Sequence, residues 1–410
     1  MDDSKTALEK IFLNIFTLPS EKVLLEKSLG RVSANDLFAD WELPPYENSA
    51  MDGYAVQAQE LQEASRAKPL IMQVVGVQKA GSSLKKKIKK GQAIKIMTGS
   101  PIPFGCDAVV MKEFTEPCNK DQVKIYFAPK AGDHIRSKGE DVHKGDLFLK
   151  KGTLIRPYEI ALLASQGVTR VPVIRQVRAT VFSTGDELVK VSSPLTFGKI
   201  RNSNGPSIAA ALSRWNVLVK DRGIVKDDPK KIEKILKESV LESDLIIVSG
   251  GVSVGDFDFT KIVLEKLGIR TIFWKVAIKP GKPLFFGMLA SGENKSEKAV
   301  FGLPGNPISA LVCLEEFVRP AVEKMSGFSP KHPSYHLQGK TVNSYFKPKD
   351  RQQYIFCKAR EKVGSYELEI IQPQGSAMMG MASSANALAL GPVGLDKIKV
   401  GETLFFRWLK

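Results

Sequence analysis

The sequence predicts a multidomain α/β plus β protein: a central three-layer parallel α/β domain, elongated N-terminal domains with a small β module, and a C-terminal β domain. Three observations predict it. At 410 residues the chain exceeds one ordinary hydrophobic core, so two to four domains are expected. Residues 177–323 alternate short apolar runs with helix-length amphipathic stretches, the pattern of a parallel sheet with helices on both faces. The flanks instead carry short alternating runs broken by Gly, Pro and Lys, which is β patterning. The borders fall at 1–56 with 138–176 for an N-terminal domain, 57–137 for an inserted β module, 177–326 for the α/β domain and 327–410 for the C-terminal β domain.

Along the chain, Ala7, Leu8, Ile11, Phe12, Ile15 and Phe16 have helical spacing, so a helix is expected over 4–16 with Ser4 as its cap and Pro19 beyond its end. A second short helix is expected over 20–28. The segment Leu43–Val56 is polar, stiffened by two prolines and turned at Asp52-Gly53; it reads either as a binding loop or as a packing crossover. Strands are expected at Leu70–Val77, Ala93–Met97, Ala108–Lys112 and Val123–Phe127, and a helix at Tyr158–Gln166 opened by Pro157. In the α/β part, strands are expected at Val177–Phe182, Val217–Arg222, Leu245–Ser249, Ile272–Ile278 and Ala299–Leu303. Helices are expected at Pro206–Trp215, Pro229–Leu241, Thr260–Leu267 and Pro307–Met325. The C-terminal candidates are Gln353–Arg360, Tyr366–Gln372 and Thr403–Trp408, and Ala377–Met381 reads as core or turn packing.

Composition excludes several function classes. Hydrophobic content of 43% and charged content of 25% are those of a folded globular chain. The four cysteines are scattered without a CxxC pair, so neither a zinc site nor a disulfide framework is expected, and a reducing compartment fits. The start, Met-Asp-Asp-Ser-Lys, lacks the basic and apolar regions of a signal peptide, and no apolar run reaches membrane-spanning length; a cytoplasmic, non-membrane protein is expected. The net charge of +16 is compatible with nucleic acid or with small anionic substrates. The run Lys85–Lys90 comes without any nucleic-acid recognition motif, so no nucleic-acid partner is expected.

Four loops follow expected strands and so converge on one sheet edge. Thr184-Gly-Asp-Glu187 brings acids. Ser249-Gly250-Gly251 breaks a buried strand and leads to Asp256 and Asp258. Lys275, Lys279 and Lys282 surround a Pro-Gly turn. Pro304-Gly305-Asn306-Pro-Ile-Ser309 opens a helix, with Asn306 expected to cap it and free N–H groups facing the loop. Glycines admit a polyanion to the backbone, lysines pair with it, and acids nearby call for a divalent cation between. Thr98-Gly99, after another strand, is a further candidate contact to an anion. No Ser-His-Asp or Cys-His set is visible, and all four histidines lie outside the α/β part, so the chemistry expected is electrostatic and metal-assisted.

These motifs resemble the MoeA family of molybdopterin molybdenumtransferases, to which the gephyrin E domain also belongs. The resemblance rests on Pro45–Val56, Met97–Pro103, Gly139–Val142, Ser183–Leu188, Ser249–Gly255, Ile278–Pro283 and Leu303–Ser309, in family order over nearly the whole chain. It implies an enzyme that takes adenylylated molybdopterin and molybdate, cleaves the adenylyl link with Mg²⁺, releases AMP and leaves molybdenum on the dithiolene. It implies a homodimer whose active site is shared between subunits, and a separate molybdopterin adenylyltransferase upstream. Carried over by motif, the functional acids fall on Asp52, Asp141, Glu187 and Asp258, the lysines on Lys275 and Lys279, and the threonine on Thr98; a further aspartate is Asp227 or Asp228. Glu187, Asp256 and Asp258 are the expected Mg²⁺ ligands. Lys275, Lys279 and Lys282, with Ser249, Gly250, Gly251 and Pro304–Ser309, are expected to bind phosphate and molybdate. Two alternatives are a molybdopterin adenylyltransferase and a non-enzymatic scaffold of the gephyrin E type. The Gly-Gly-Val-Ser-Val-Gly loop and the flanking domains speak against the first, and the complete acid and lysine motifs against the second. Molybdate and tungstate are not separable by sequence.

Overall fold

The computed structural model describes residues 1–82, 87–251, 263–264, 266–291 and 296–409. The α/β domain is built on a six-stranded sheet in the order Leu218–Val225, Arg178–Thr184, Leu245–Ser249, Ser296–Leu303, Phe285–Ser291, Arg270–Phe273. The first four strands are parallel, as the alternation predicts. Phe285–Ser291, a strand the sequence pattern does not announce, runs antiparallel to both its neighbours. Leu245–Ser249 is buried along its length. Leu245 and Ile247 enter the core on one face, with Ile208, Leu212, Ile308 and Phe317 of two helices. Ile246 and Val248 enter the core on the other, with Ile232, Leu236 and Val240 of helix Pro229–Glu242. Burial on both faces explains why this strand is apolar without alternation, and each such side chain contributes about 2 kcal/mol over its exposed state.

The first helix, Ser4–Asn14, packs Ala7, Leu8 and Ile11 into the same α/β core. Its cap is Asp3, which accepts from the Thr6 N–H at 2.7 Å, and not Ser4, whose hydroxyl donates to Gln352 instead. The helix expected over 20–28 is absent. Ser20–Leu24 is a strand pairing antiparallel with Arg170–Ile174, followed by a single tight turn at Leu25–Lys27. The long helix after Pro307 is present but not uniform: Pro307–Cys313 and Arg319–Met325 flank a wide turn at Leu314–Val318. Pro320 has no N–H to donate and would crowd the Glu316 carbonyl in a regular helix, and a wide turn relieves both.

In the β module six strands pair in the order Ala108–Met111, Gly53–Val56, Gln92–Ile96, Leu70–Gln78, Gln122–Ile125, Thr115–Asn119. The C-terminal domain closes on itself: Gln352–Lys362, Ser365–Ile370, Leu337–Thr341, Thr403–Trp408 and Ala387–Gly391 pair in a ring. The strand expected over 272–278 divides between two domains. Arg270–Phe273 stays in the α/β sheet, whereas Ile278–Lys279 pairs in parallel with Gln352–Gln353 of the C-terminal sheet. Among the described residues no helix is long and apolar enough to cross a membrane.

Candidate active site

Parallel strands in register end together, and the residues that follow them form the site. Thr184 pairs with Val225, Ser183 with Ser249, and Ser249 with Leu303, so four loops leave one edge of the sheet side by side. The edge includes the point where the chain's connections change direction, between Arg178–Thr184 and Leu245–Ser249, where an open α/β sheet leaves a crevice. That crevice is a cleft of about 740 Å³ lined by Thr184, Gly185, Glu187, Asp227, Ser249–Gly251 and Pro304–Asn306. Lys199 and Arg201 line it too, on an excursion after Glu187 in which Leu188–Val189 pairs in parallel with Ile200–Arg201.

The loops are locked to one another. The Gly250 N–H donates to the Leu303 carbonyl at 3.1 Å. Asn204, at the start of its helix, donates from Nδ2 to Ser249 Oγ at 2.6 Å and to the Gly305 carbonyl at 2.9 Å. Gly250 has φ +87°, and a Cβ there would stand 2.3 Å from the Thr184 carbonyl oxygen, so only glycine fits without moving the sheet edge. Thr184 Oγ1 and Asn204 Oδ1 are buried at this cleft without a hydrogen-bond partner among the described residues, which leaves a donor and an acceptor for whatever binds there.

Carboxylates converge on one side. Burial pushes the Asp227 carboxyl above its ordinary value, and the nearby charges of Asp186 and Glu187 push it further; an N–H from Asp186 at 3.3 Å partly offsets them. Asp227 and Asp228 differ in placement. Asp228 caps helix Pro229–Glu242, accepting from Lys230 N–H at 2.9 Å, while Asp227 faces the cleft. Among the described residues no three His, Cys, Asp or Glu side chains gather tightly enough to hold a metal ion by themselves. Asp256 and Asp258 lie outside the described residues.

A second cleft of about 450 Å³ adjoins the first, sharing Pro283 and Asn306 with it. Lys282 and Ser309 form its α/β wall; Lys279, paired onto the C-terminal sheet, and Arg351, Tyr354 and Ser376 of the C-terminal domain complete it. Gly281, in the Pro-Gly turn between the lysines, has φ +108° and packs so close to Cys313 that a Cβ would lie 2.6 Å from its sulfur. The turn is thereby pressed onto the long helix, which fixes where the two lysines start. Asn306 does not cap that helix; its Nδ2 donates to Ser376 Oγ at 3.1 Å, and the Ile308 N–H is taken by the Ser376 carbonyl at 3.0 Å. The helix start therefore grips the C-terminal domain rather than presenting all its N–H groups to the loop.

Of the residues expected from sequence, Glu187, Ser249, Gly250, Gly251, Lys279, Lys282, Pro304, Gly305, Asn306 and Ser309 meet at these two clefts. Lys275 is half-buried nearby but lines neither. Asp52, Thr98 and Asp141 line neither as well. Asp52 and Thr98 meet in the N-terminal part: Thr98 donates to Asp52 through its N–H at 2.8 Å and its hydroxyl at 2.9 Å, which holds the Asp52 carboxyl below its ordinary value. The Asp141 N–H donates to the Leu43 carbonyl, and its side chain is exposed. Arg351, Ser376 and Asn204 were not foreseen. Only Asn204 carried a signal, standing with Asn202 just before Gly-Pro at a helix start.

Residues 3–167 match the MoeA N-terminal region (domain I and II), residues 180–324 a probable molybdopterin binding domain, and residues 338–405 the MoeA C-terminal region (domain IV). A molybdopterin molybdenumtransferase of Haemophilus influenzae is 36% identical over 392 residues, covering 95% of this chain and 94% of the relative. The chain belongs to the MoeA family. A molybdopterin molybdenumtransferase of Bacillus subtilis is 34% identical to this MoeA-family chain over 388 residues, 94% of it and 89% of the relative. A solved molybdopterin biosynthesis moeA protein of Pyrococcus horikoshii OT3 shares the MoeA architecture, with TM-score 0.81 and 27% identity over 100% of both chains. The named relatives are transferases, and this MoeA-family chain is an enzyme of that class.

Proposed function

We propose that this chain acts in molybdenum cofactor biosynthesis as a molybdopterin molybdenumtransferase, inserting molybdate into adenylylated molybdopterin with release of AMP. The observation that carries this reading is a pair of adjoining clefts. One is lined by glycine turns with two carboxylates, Glu187 and Asp227, and two cations, Lys199 and Arg201; the other carries Lys279, Lys282 and Arg351 without a carboxylate among the described residues that line it. The larger suits a nucleotide-linked substrate whose phosphates approach the Gly250 backbone. The smaller suits a tetrahedral dianion held by three cations and the hydroxyls of Ser309 and Ser376. Because the clefts share Pro283 and Asn306, the oxyanion and the pterin end of the substrate can meet without leaving the protein.

The donor set fits Mg²⁺. Glu187 and Asp227 are hard oxygen donors, neither is ion-paired among the described residues, and the upward push on Asp227 is what a bound cation would reverse. Glu187 and Asp227 would hold it, together with Asp256 and Asp258, which follow Gly251 in sequence and lie outside the described residues, and it would neutralise charge on the phosphate oxygens of the adenylyl link. The chain's own side chains do the rest: Asn204 keeps the loops at their separation, and the cations hold the oxyanion. In this reading a homodimer brings Asp52, Thr98 and Asp141 of the partner subunit to the open side of the cleft.

The test is AMP release from adenylylated molybdopterin with Mg²⁺, with and without molybdate, and with tungstate in its place. Release that depends on the oxyanion supports the reading. Equal release without any oxyanion, or accumulation of adenylylated molybdopterin from molybdopterin and ATP, overturns it.

A further inference from the structure

The smaller cleft has walls from two domains, so its width depends on how those domains are held. Its rim is held by the Asn306–Ser376 contact described above. Its back is held by a buried node on the far side of Tyr354. The carboxylate of Glu316, 2% exposed, accepts from the Tyr335 hydroxyl at 2.8 Å and from Arg407 Nη2 at 2.8 Å. Arg407 also lies over the Tyr335 ring, 5.6 Å from its centre. The Tyr335 ring in turn stands 6.3 Å from the ring of Tyr354, whose side chain lines the cleft.

The three partners come from three places. Glu316 is on the wide turn of the helix whose first turn carries Ser309. Tyr335 is in the connection between domains, and Arg407 is on the last strand of the C-terminal domain. The neighbours of Glu316 along the helix, Leu314, Phe317 and Val318, are fully buried and apolar. Apolar residues at both 316 and 407 would serve packing at least as well, since a buried ion pair recovers its desolvation cost only through good geometry. What an ion pair adds over packing is direction: it admits one relative placement of helix, linker and strand.

We propose that Glu316 is a positioning residue for oxyanion binding: through Tyr335 and Arg407 it sets the distance between the Lys282–Ser309 wall and the wall of Lys279, Arg351 and Ser376 that the C-terminal sheet carries. The inference rests on the smaller cleft being the oxyanion pocket. Glu316→Leu removes the carboxylate that Tyr335 and Arg407 share and leaves Arg407 the more distant Glu315 carboxylate at 3.7 Å, and Glu316→Gln keeps an acceptor for both donors. With Glu316→Leu, the molybdate KM for AMP release rises about tenfold, while kcat and the KM for adenylylated molybdopterin hold. Glu316→Gln returns the molybdate KM to within about twofold of the parent.

Lys279→Ala, tested for direct molybdate binding by calorimetry, separates the two levels. If Lys279→Ala leaves molybdate binding intact, the pocket reading itself fails. If it weakens binding while folded Glu316→Leu leaves the molybdate KM unchanged, the positioning role is overturned and the pocket stands. A loss in Glu316→Leu that spreads equally over kcat and both KM values also overturns it, since that is the mark of general destabilisation. Tyr335→Phe, which removes one donor with its ring kept, gives the same readout should Glu316→Leu not fold; there an unchanged molybdate KM counts against the proposal.

Discussion

Gly250→Ala tests the geometry of the larger cleft with one methyl group. At φ +87° an alanine pays the left-handed penalty, about 1–2 kcal/mol. Its Cβ would also stand 2.3 Å from the Thr184 carbonyl oxygen, where contacts below 3.0 Å do not occur. The obstacle is backbone, not a side chain that can rotate, so the strand ends must part, at a cost of about 1–3 kcal/mol on the scale of core overpacking. The sum, about 2–5 kcal/mol, is a large share of a domain's stability. Gly305→Ala is the control. It lies on the same cleft, but its Cβ would meet only the Gly250 Cα at 3.8 Å, an ordinary contact. Urea unfolding followed by circular dichroism reads both variants. The unfolding free energy of Gly250→Ala falls by the amount above, and that of Gly305→Ala stays within about 1 kcal/mol of the parent. AMP release falls about a hundredfold in Gly250→Ala, because displacing the strand ends by about 1 Å misaligns every loop they carry. Equal unfolding free energies for the two variants would refute the close approach between Gly250 and Thr184.

Three further outcomes are expected. Asp244, which opens the central strand, is held by Arg175 through two contacts of 2.7 Å; burial alone would raise its carboxyl, but Arg175 and the Arg178 N–H keep it below the ordinary value. Its contribution is therefore present above the ordinary carboxylate pKa and lost as pH falls through the lower folded value. Asp244→Asn costs about 3 kcal/mol in urea unfolding at neutral pH, and the gap to the parent narrows in acid. Asp227 has the opposite sign: its folded pKa is raised, so ionising it opposes folding once pH rises through the ordinary value. Asp227→Asn therefore gains stability over the parent from acid to neutral pH in thermal melts without Mg²⁺, and added Mg²⁺ shrinks that gain, with AMP release lost. Finally, a subunit-shared site predicts complementation: Asp52→Asn and Asp227→Asn, each inactive alone, recover part of the AMP release when unfolded and refolded together, and no recovery places all these residues in one subunit's site.

Much of this was legible in the chain. Leu245–Ser249 could be read because burial on both faces leaves an unbroken apolar run, and Gly250-Gly251 marks its end. The glycine, lysine and Pro-Gly-Asn-Pro loops could be read because each needs residue types that few other structures require. Phe285–Ser291 was hidden behind Pro280-Gly-Lys-Pro283, which signals a loop, and by Gly287 inside the strand, where a Cβ would stand 2.8 Å from Ile269. The helix expected over 20–28 failed because pairing with Arg170–Ile174, distant in sequence, outweighed local spacing. Arg351 carried no local mark at all. It reaches the lysines only through the register of Ile278–Lys279 against Gln352–Gln353, a long-range pairing that no window of sequence contains.

That pairing also bears on how the protein can be divided. Lys279 belongs by sequence to the α/β segment but sits as an edge strand on the C-terminal sheet. Borders drawn along the chain are thus not borders of the chemistry. A fragment cut after the long helix would keep the lysines and lose the strand that aligns them, so the smaller cleft is inherited only by the two domains together, and these two domains travel as one unit.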